Sequence, residues 1–280
     1  MIIEYHRPQT IEEALALIGR SSPKTLPLGG GTFLSRAATL LGPGPTTESV
    51  EVVDLQALGL NSLKRNGNNL EIGATVTLQG LLEDANCPAT LKSALKLEAP
   101  LNIRNAATVA GTIVTCDGRS TFATALLALD AKLTIDRRPK TDNGPSSTVY
   151  GLGEFLPLRT QYLTGKLITK IEIPLNIKLA FEFVSRTPAD KPIVCAALAQ
   201  WNSGRTRLTL GGYGKSPLLA MDGPHPFLSP SGRGTEGEGI EAAARNAFHE
   251  AKDDWASAEY RQDAAATLAK RCIRDLEKYE

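Results

Sequence analysis

Three consecutive glycines follow a short apolar run in the segment "TLPLGGGTFL", residues 25–34. Glycine loses more backbone freedom on folding than any other residue, so this triplet is costly unless the backbone there must stay bare or take a positive φ. A glycine-rich turn between a strand and a helix brings backbone N–H groups together and suits an anion such as phosphate. The segment alone leaves two alternatives open, a ligand cradle and a flexible turn.

A second segment of small residues, "IRNAATVAGTIVTC", spans residues 103–116. Its alanines and glycine would let a ligand pack against the backbone, and its threonines would supply hydroxyl groups. The first segment matches neither the Rossmann pattern nor the Walker pattern. Two such segments in one domain nevertheless favour a large ligand held across two lobes over two idle turns. The residues concerned in the second segment are Ala106, Ala107, Thr108, Ala110, Gly111, Thr112 and Thr115.

The order of predicted elements indicates an α/β fold followed by an α+β fold. A strand ending at Pro8, a helix capped by Thr10 and a strand running into the glycines form a β-α-β opening. Asn66 and Gly67 predict a hairpin turn. A polar loop is predicted over residues 137–147. From residue 178 onward, three strand-like segments precede two helices, predicted at 240–250 and 258–278.

Composition excludes several classes of protein. The 280 residues carry a formal net charge of +1, which gives no basic footprint for nucleic acid. We find no apolar run long enough to span a membrane and no signal peptide. The four cysteines are far apart and the three histidines are scattered, so we expect reduced thiols in a cytoplasmic protein and no metal site. We assign no catalytic residue, because no Ser–His–Asp or paired-carboxylate set stands out.

The chain resembles the FAD-binding medium subunit of molybdenum hydroxylases, the family of carbon monoxide dehydrogenase and xanthine dehydrogenase. The resemblance covers nearly the whole chain, and its motifs occur in the family's order. Single motifs would be weak evidence, whereas the ordered set is specific. The motifs are "LGGGTFL", "VVDLQAL", "LEIGATVT", "IRNAATVAGTI", "ALLALDA", "LITKIEIP" and "SAEYRQDAAATLAKR".

The resemblance implies a two-lobed FAD-binding domain of the vanillyl-alcohol-oxidase-like (PCMH) type. This domain would cover residues 1–176, with lobes at about 1–57 and 58–176, and a smaller α+β domain would cover 177–280. The first segment's amides would hold the FAD pyrophosphate, and the second segment would hold the other side of the cofactor. The implied cofactor-binding residues are Leu28, Gly29, Gly30, Gly31, Thr32, Phe33, Leu34, Thr108, Ala110, Gly111, Thr112, Thr115, Asp117, Thr121, Leu167 and Lys191.

The resemblance also implies a function in electron transfer. Electrons would pass from iron–sulfur clusters of a small subunit through the flavin to NAD or a quinone, while a large molybdenum subunit oxidises the substrate. We expect the partner surface near Arg104, Asn105, Arg119 and Lys191. Changing Gly30 or Gly31 to Val is expected to abolish FAD binding and leave most of the fold intact.

The sequence departs from the family pattern at Ala110, Gly118 and Thr121. These departures keep an alternative open, a structural or assembly subunit that kept the fold and lost FAD. A third hypothesis, a self-contained flavin oxidase, would need its own substrate pocket, for which 280 residues leave little room.

Overall fold

A computed structural model describes residues 2–34, 49–138, 146–224 and 238–278. These residues contain twelve strands, numbered in chain order as β1 (Ile2–His6), β2 (Thr25–Leu28), β3 (Val50–Asp54), β4 (Leu63–Asn66), β5 (Asn69–Gly73), β6 (Lys132–Arg137), β7 (Ser146–Gly151), β8 (Lys166–Pro174), β9 (Lys178–Val184), β10 (Val194–Gln200), β11 (Arg205–Gly211) and β12 (Leu218–Pro224).

The helices that can be bounded in the described residues are α1 (Ile11–Ile18), α2 (Leu78–Glu83), α3 (Ala89–Glu98), α4 (Leu101–Arg104), α5 (Val109–Thr115), α6 (Thr121–Ala128), α7 (Leu152–Leu163), α8 (Glu238–Ala247) and α9 (Ala258–Glu277). None of the helices in the described ranges is both long enough and apolar enough to cross a membrane.

The chain forms two compact units that are interleaved along the sequence. Unit 1 contains Met1–Ala85, Pro100–Thr115 and Lys132–Glu172, and unit 2 contains Asn86–Ala99, Cys116–Ala131 and Ile173–Glu280. The predicted domains, 1–176 and 177–280, are divided by a single cut in the sequence and stay a prediction. Each compact unit instead draws on several separate stretches of chain.

A three-stranded parallel sheet in unit 1 has the order β1-β3-β2. Helix α1 connects β1 to β2 and begins after Thr10, whose side chain accepts a hydrogen bond from the Glu13 N–H. The predicted β-α-β opening is therefore confirmed. The buried face of α1 packs with Val53, Leu55 and Leu167. Because the strands are parallel, the segments that leave β2 and β3 emerge at the same edge of the sheet.

A five-stranded sheet in unit 1 has the order β4-β5-β8-β6-β7. The predicted hairpin turn between β4 and β5 is confirmed, and Gly67 has a φ of +58° there. The predicted polar loop at 137–147 is wrong at its ends, because β6 extends through Arg137 and β7 begins at Ser146. Residues 139–145 lie outside the described residues. Strand β7 and helix α7 were not predicted, since a Pro and several Gly interrupt their apolar pattern.

Unit 2 is built on an antiparallel sheet with the order β12-β11-β10-β9. The three predicted strands and both C-terminal helices are confirmed, and β12 is a fourth strand that the sequence did not predict. Residues 225–237 lie outside the described residues. Helices α8 and α9 bury Phe248, Leu268 and Cys272 with Val194 and Leu208 of the sheet. All four cysteines are buried, and none of them forms a disulfide bond.

The turn at residues 116–120 is fixed inside unit 2 by close backbone contacts. The Gly118 N–H donates to Gly214 O at 2.9 Å, and the Gly212 N–H donates to Gly118 O. A methyl group on Gly118 would lie 1.8 Å from Tyr213 O. Only glycine allows this approach, so Gly118 has a structural role here.

Arg119 is held by the same part of unit 2. Its guanidinium donates to Asp253 Oδ2 at 3.0 Å and lies 4.0 Å from the centre of the Trp255 ring. Asp253 also accepts from Arg261, whose side chain is fully buried. The Arg119 side chain is 18% exposed. These contacts argue against its expected place on a partner surface, because a half-buried arginine that is paired within its own unit serves the fold first.

We predict that Gly118→Ala lowers the free energy of unfolding by about 1–3 kcal/mol, because the added methyl overlaps a backbone carbonyl that cannot move alone. Gly223→Ala is the matched control, since a methyl there would meet no atom within 4 Å in the same unit. The measurement is urea unfolding followed by tryptophan fluorescence, which reports on Trp201 and Trp255 of unit 2. Equal unfolding midpoints for the two variants would show that this contact is dispensable.

Candidate cofactor-binding site

The glycine loop, residues 29–32, leaves β2 and is tied to the end of β3. The Leu55 N–H donates to Leu28 O at 3.1 Å, and Gln56 Nε2 donates to Gly29 O at 3.1 Å. Asp54 Oδ1 in turn accepts from the Gln56 N–H at 2.9 Å. Gln56 therefore fixes the direction of the peptide between Gly29 and Gly30. Sequence reasoning did not identify Gln56, because a glutamine in a turn carries no recognisable signal.

Each glycine of the triplet has its own structural reason. A methyl on Gly29 would lie 2.6 Å from Thr108 Oγ1, and a methyl on Gly30 would lie 1.6 Å from Ala106 O. Gly31 has a φ of +70°, which other residues rarely adopt. The sequence analysis expected a ligand to need this bare backbone. The structure shows instead that the chain's own second segment lies against Gly29 and Gly30.

The backbone N–H groups of the glycine loop are free to bind a ligand. Those of Gly29, Gly30, Gly31 and Thr32 donate to no acceptor within the described part of the chain. All four residues are half-buried, and a helical turn begins at Thr32. Several unpaired N–H groups at one turn form an anion-binding concavity. This is the arrangement that a phosphate group requires.

The second segment differs from the glycine loop, because the backbone N–H groups at the start of its helix already have acceptors. Helix α5 begins within it, at Val109. The N–H groups of Val109 and Ala110 donate to Val76 O and Ala74 O, at 2.8 and 3.3 Å. The Gly111 N–H donates to Thr108 Oγ1 at 3.2 Å. The segment therefore supplies a close-packed wall rather than a second set of free amides.

The hydroxyl groups of the second segment also have partners. Thr112 Oγ1 donates to Thr108 O at 2.9 Å, and Thr115 Oγ1 donates to Gly111 O at 2.8 Å. Each hydroxyl keeps its lone pairs as acceptors. Thr112 and Thr115 can therefore still accept a hydrogen bond from a ligand, whereas Thr108 is 3% exposed and has little surface to offer.

Two predicted cofactor contacts, Leu167 and Thr121, are buried within their own units. Leu167 is 4% exposed and belongs to the core between α1 and the five-stranded sheet. Thr121 is 1% exposed, and its hydroxyl donates to Ala94 O at 2.7 Å in unit 2. Neither side chain has surface available for a cofactor, so we leave both out of the proposed binding set.

The start of α6 is organised by a carboxyl group rather than by a ligand. Glu98 accepts hydrogen bonds from the Ser120 hydroxyl at 2.8 Å and from the Phe122 N–H at 3.0 Å. Burial, the largest influence, raises the pKa of Glu98 above its usual value. A carboxylate at a helix N-terminus satisfies free N–H groups there. The polar groups at the start of α6 are therefore satisfied by a side chain of unit 2 itself.

The predicted residues on either side of the glycine loop and those in unit 2 other than Thr121 are accessible. Phe33, which follows the glycine loop, is 56% exposed, and Leu28 and Leu34 are half-buried. In unit 2, Lys191 Nζ lies 3.6 Å from Asp117 Oδ1, and this carboxylate also accepts from the Arg119 N–H. Asp117 and Lys191 thus form an exposed ion pair of their own.

His6, which seemed isolated in the sequence, lies between two carboxylates. Its Nε2 is 2.9 Å from Glu51 Oε2, and its Nδ1 is 3.8 Å from Glu4 Oε1. Arg20 also approaches Glu51, at 3.7 Å. The pairing of β1 with β3 creates this cluster from residues far apart in the sequence, so residue spacing could not reveal it. The arginine makes it an ion-pair cluster in which a metal would meet a competing cation.

We predict that Gly30→Ala weakens both FAD binding and the stability of unit 1. The new methyl would overlap Ala106 O and push the second segment away from the glycine loop. We expect a loss of about 1–3 kcal/mol in the free energy of unfolding, together with lower FAD occupancy. Gly151→Ala is the control, since a methyl there meets open space in the same unit.

Thermal unfolding and FAD content of the two variants, measured side by side, test this expectation. A Gly30→Ala protein with unchanged stability and full occupancy would show that the two segments tolerate separation. Loss of FAD with unchanged stability would instead support the expectation from the sequence, in which only the ligand needs the bare backbone.

Comparisons with known proteins agree with this geometry. A family model described as the FAD binding domain in molybdopterin dehydrogenase matches residues 1–176. The chain is 28% identical over 282 residues to the uncharacterized protein YgfM of Escherichia coli K12, covering 99% of this chain and 98% of that protein. It is 24% identical over 284 residues to the glyceraldehyde dehydrogenase medium chain of Sulfolobus acidocaldarius, covering 97% of both.

A solved structure shows the same fold. The carbon monoxide dehydrogenase structure from Hydrogenophaga pseudoflava superposes with a TM-score of 0.76 at 22% identity, covering 98% of this chain and 96% of the matched chain. The two-lobed α/β architecture with an α+β part is thereby confirmed. The chain belongs to the family of FAD binding domains in molybdopterin dehydrogenases, and it is of the medium-subunit type found in these oxidoreductases.

Proposed function

We propose that this chain binds FAD without a covalent link and passes electrons between an iron–sulfur subunit and an external acceptor. The observation that carries the proposal is the set of free N–H groups at residues 29–32. These N–H groups donate to no acceptor in the described part of the chain. The chain itself belongs to a family of FAD binding domains. Cys116, the nearest candidate for a covalent link, is 5% exposed.

The residues of the glycine loop fit a pyrophosphate group. A doubly charged diphosphate needs several donors, and backbone N–H groups supply them without a side chain that would keep the phosphates away. Gln56 holds the Gly29 carbonyl and so turns the next N–H to the opposite side of the peptide. The positive φ of Gly31 continues the turn. The loop is therefore ordered before the cofactor arrives.

The bound FAD would supply the redox chemistry, since a flavin can accept and release electrons singly or in pairs. The chain's own residues would bind and orient it. Exposed Phe33 follows the glycine loop and can cover apolar surface beside it. Thr112 and Thr115, one helical turn apart in sequence, can accept hydrogen bonds from hydroxyl groups of a sugar chain.

We propose that the partners are an iron–sulfur small subunit and a molybdenum large subunit, with NAD or a quinone as the final acceptor. The name "medium chain" of the glyceraldehyde dehydrogenase relative supports such an assembly. Two exposed apolar side chains lie at the start of the second segment: Ile103, its first residue, is 37% exposed, and Leu101, two residues earlier, is 54% exposed. Arg104 donates to Gln79 Oε1 at 3.0 Å. We place the docking surface on α4 rather than on Arg119.

We predict that the purified chain has the visible absorption of FAD, or gains it when FAD is added. Gln56→Ala removes one hydrogen bond that orients the loop and should weaken FAD binding by about threefold to tenfold. Gln9→Ala is the control, because the Gln9 side chain donates only to Arg7 O among the described residues. Titration of apo-protein with FAD, followed by flavin fluorescence, measures both affinities.

The result also separates the proposed function from its alternative. If the chain retains no FAD after incubation with an excess of the cofactor, yet is folded by circular dichroism, it is the structural or assembly subunit. Equal FAD affinities for Gln56→Ala and Gln9→Ala would remove Gln56 from the site without touching the cofactor assignment.

We predict that a tagged copy recovered from its native host brings an iron–sulfur subunit and a molybdenum subunit with it. Leu101→Glu places a charge on the proposed docking surface and should reduce recovery of the partners by at least about tenfold, with FAD content unchanged. Val149→Glu is the control, because Val149 is 59% exposed on β7. A lone chain that oxidises an organic substrate at the full cellular rate would refute the assembly.

A further inference from the structure

A pocket of about 310 Å³ opens on the five-stranded sheet of unit 1. Its floor is polar: Glu71 comes from β5, Thr134 and Asp136 from β6, and Lys170 from β8. Ile11 of α1 and Leu60 form the apolar side. This volume is at the lower end for small-molecule sites and suits a small metabolite. None of these residues is among those that we propose to bind FAD.

The wall of the pocket is built in advance of any ligand. The Gly73 N–H donates to Ser62 O at 2.8 Å, and the Thr75 N–H donates to Leu60 O at 2.9 Å. A methyl on Gly73 would lie 2.2 Å from Leu60 O, so glycine is needed for this approach. The stretch from Leu60 to Ser62 is thereby held against β5, and the pocket cannot close by collapse of that wall.

The single ammonium group in the floor is already neutralised. Lys170 Nζ lies 3.4 Å from Glu71 Oε1 and 3.6 Å from Glu172 Oε2. Asn66 donates to Glu71 at 3.0 Å, and this hydrogen bond, with Lys170, lowers the pKa of Glu71 below its usual value. Glu71 therefore stays ionised at neutral pH, and its negative charge neutralises the positive charge of Lys170.

Asp136 adds a further carboxylate to the lining of the pocket. Its Oδ1 is enclosed and has no hydrogen-bond partner among the described residues. A buried carboxylate oxygen without a donor loses the free energy of hydration and gains nothing in return. Around it, Thr134, Thr169 and Ser147 line the same pocket with hydroxyl groups. The pocket thus offers acceptors and a net negative charge.

We infer that this pocket binds a small organic cation, a protonated amine or a guanidinium compound, with Asp136 as its counter-ion. Such a ligand supplies the positive charge that the floor lacks, and its N–H groups can donate to the Asp136 and Glu71 side chains that line the pocket. Its short carbon chain can lie against Ile11 and Leu60. The inference does not depend on FAD, because no residue of the glycine loop takes part.

The experiment is isothermal titration of the full chain, loaded with FAD where it binds, with agmatine, putrescine and glycerol as probes. Glycerol is the uncharged control ligand. Asp136→Asn keeps the shape of the side chain and removes its charge, and we expect it to weaken amine binding by at least about tenfold. Glu259→Gln, an exposed carboxylate of unit 2, is the matched control variant. Circular dichroism and FAD content verify the fold of each variant.

Binding of either amine in the micromolar to low millimolar range, lost in Asp136→Asn and kept in Glu259→Gln, supports the site. Absence of amine binding to the unmodified chain overturns it, whatever the variants do. Equal binding by Asp136→Asn also overturns it, because the amine would then be held elsewhere. Glycerol binding as tightly as the amines would show that hydroxyl groups rather than charge select the ligand.

Discussion

The close approach of two backbone segments in unit 1 is the constraint on which the candidate site depends. A methyl on Gly30 would lie 1.6 Å from Ala106 O, so the glycine loop and the second segment touch through their main chains. Side chains at this contact would separate them. The second segment is packed as a helix whose first amides donate to Val76 O and Ala74 O, whereas the glycine loop keeps its amides free. Two segments that look alike in sequence therefore have different roles on the two sides of one contact.

The free amides persist because other parts of the loop are held. The Gly29 carbonyl is bound by Gln56, and the Leu28 carbonyl is bound by the Leu55 N–H. A turn whose carbonyls are satisfied from one side presents its N–H groups on the other. The parallel pairing of β2 with β3 brings Gln56 to this position. The loop's capacity to bind an anion therefore originates in the sheet rather than in the glycines alone.

The sequence predicted those elements whose signals are local. The Thr10 cap, the Asn66-Gly67 hairpin and the C-terminal helices each depend on a few adjacent residues, and each was found. Contacts between distant residues were beyond such signals. The burial of Leu167 beneath α1, the pairing of His6 with Glu51 and the function of Gln56 all depend on which strand lies beside which. The sequence indicated that the backbone of the glycine triplet must stay bare, but the atom that excludes a side chain at Gly30 belongs to Ala106 and not to a ligand.

The departures from the family pattern can now be judged by what these residues do. The Ala110 N–H donates to Ala74 O whatever its side chain is, Gly118 permits the contact with Tyr213, and the Thr121 hydroxyl donates to Ala94 O. Each of these three residues makes its contact within its own unit, and none of them removes a hydrogen-bond donor from residues 29–32. The loss of FAD was suggested by these three positions alone. Since they leave the free amides of residues 29–32 intact, retention of FAD depends on the glycine loop itself, and the FAD content of the purified protein tests it.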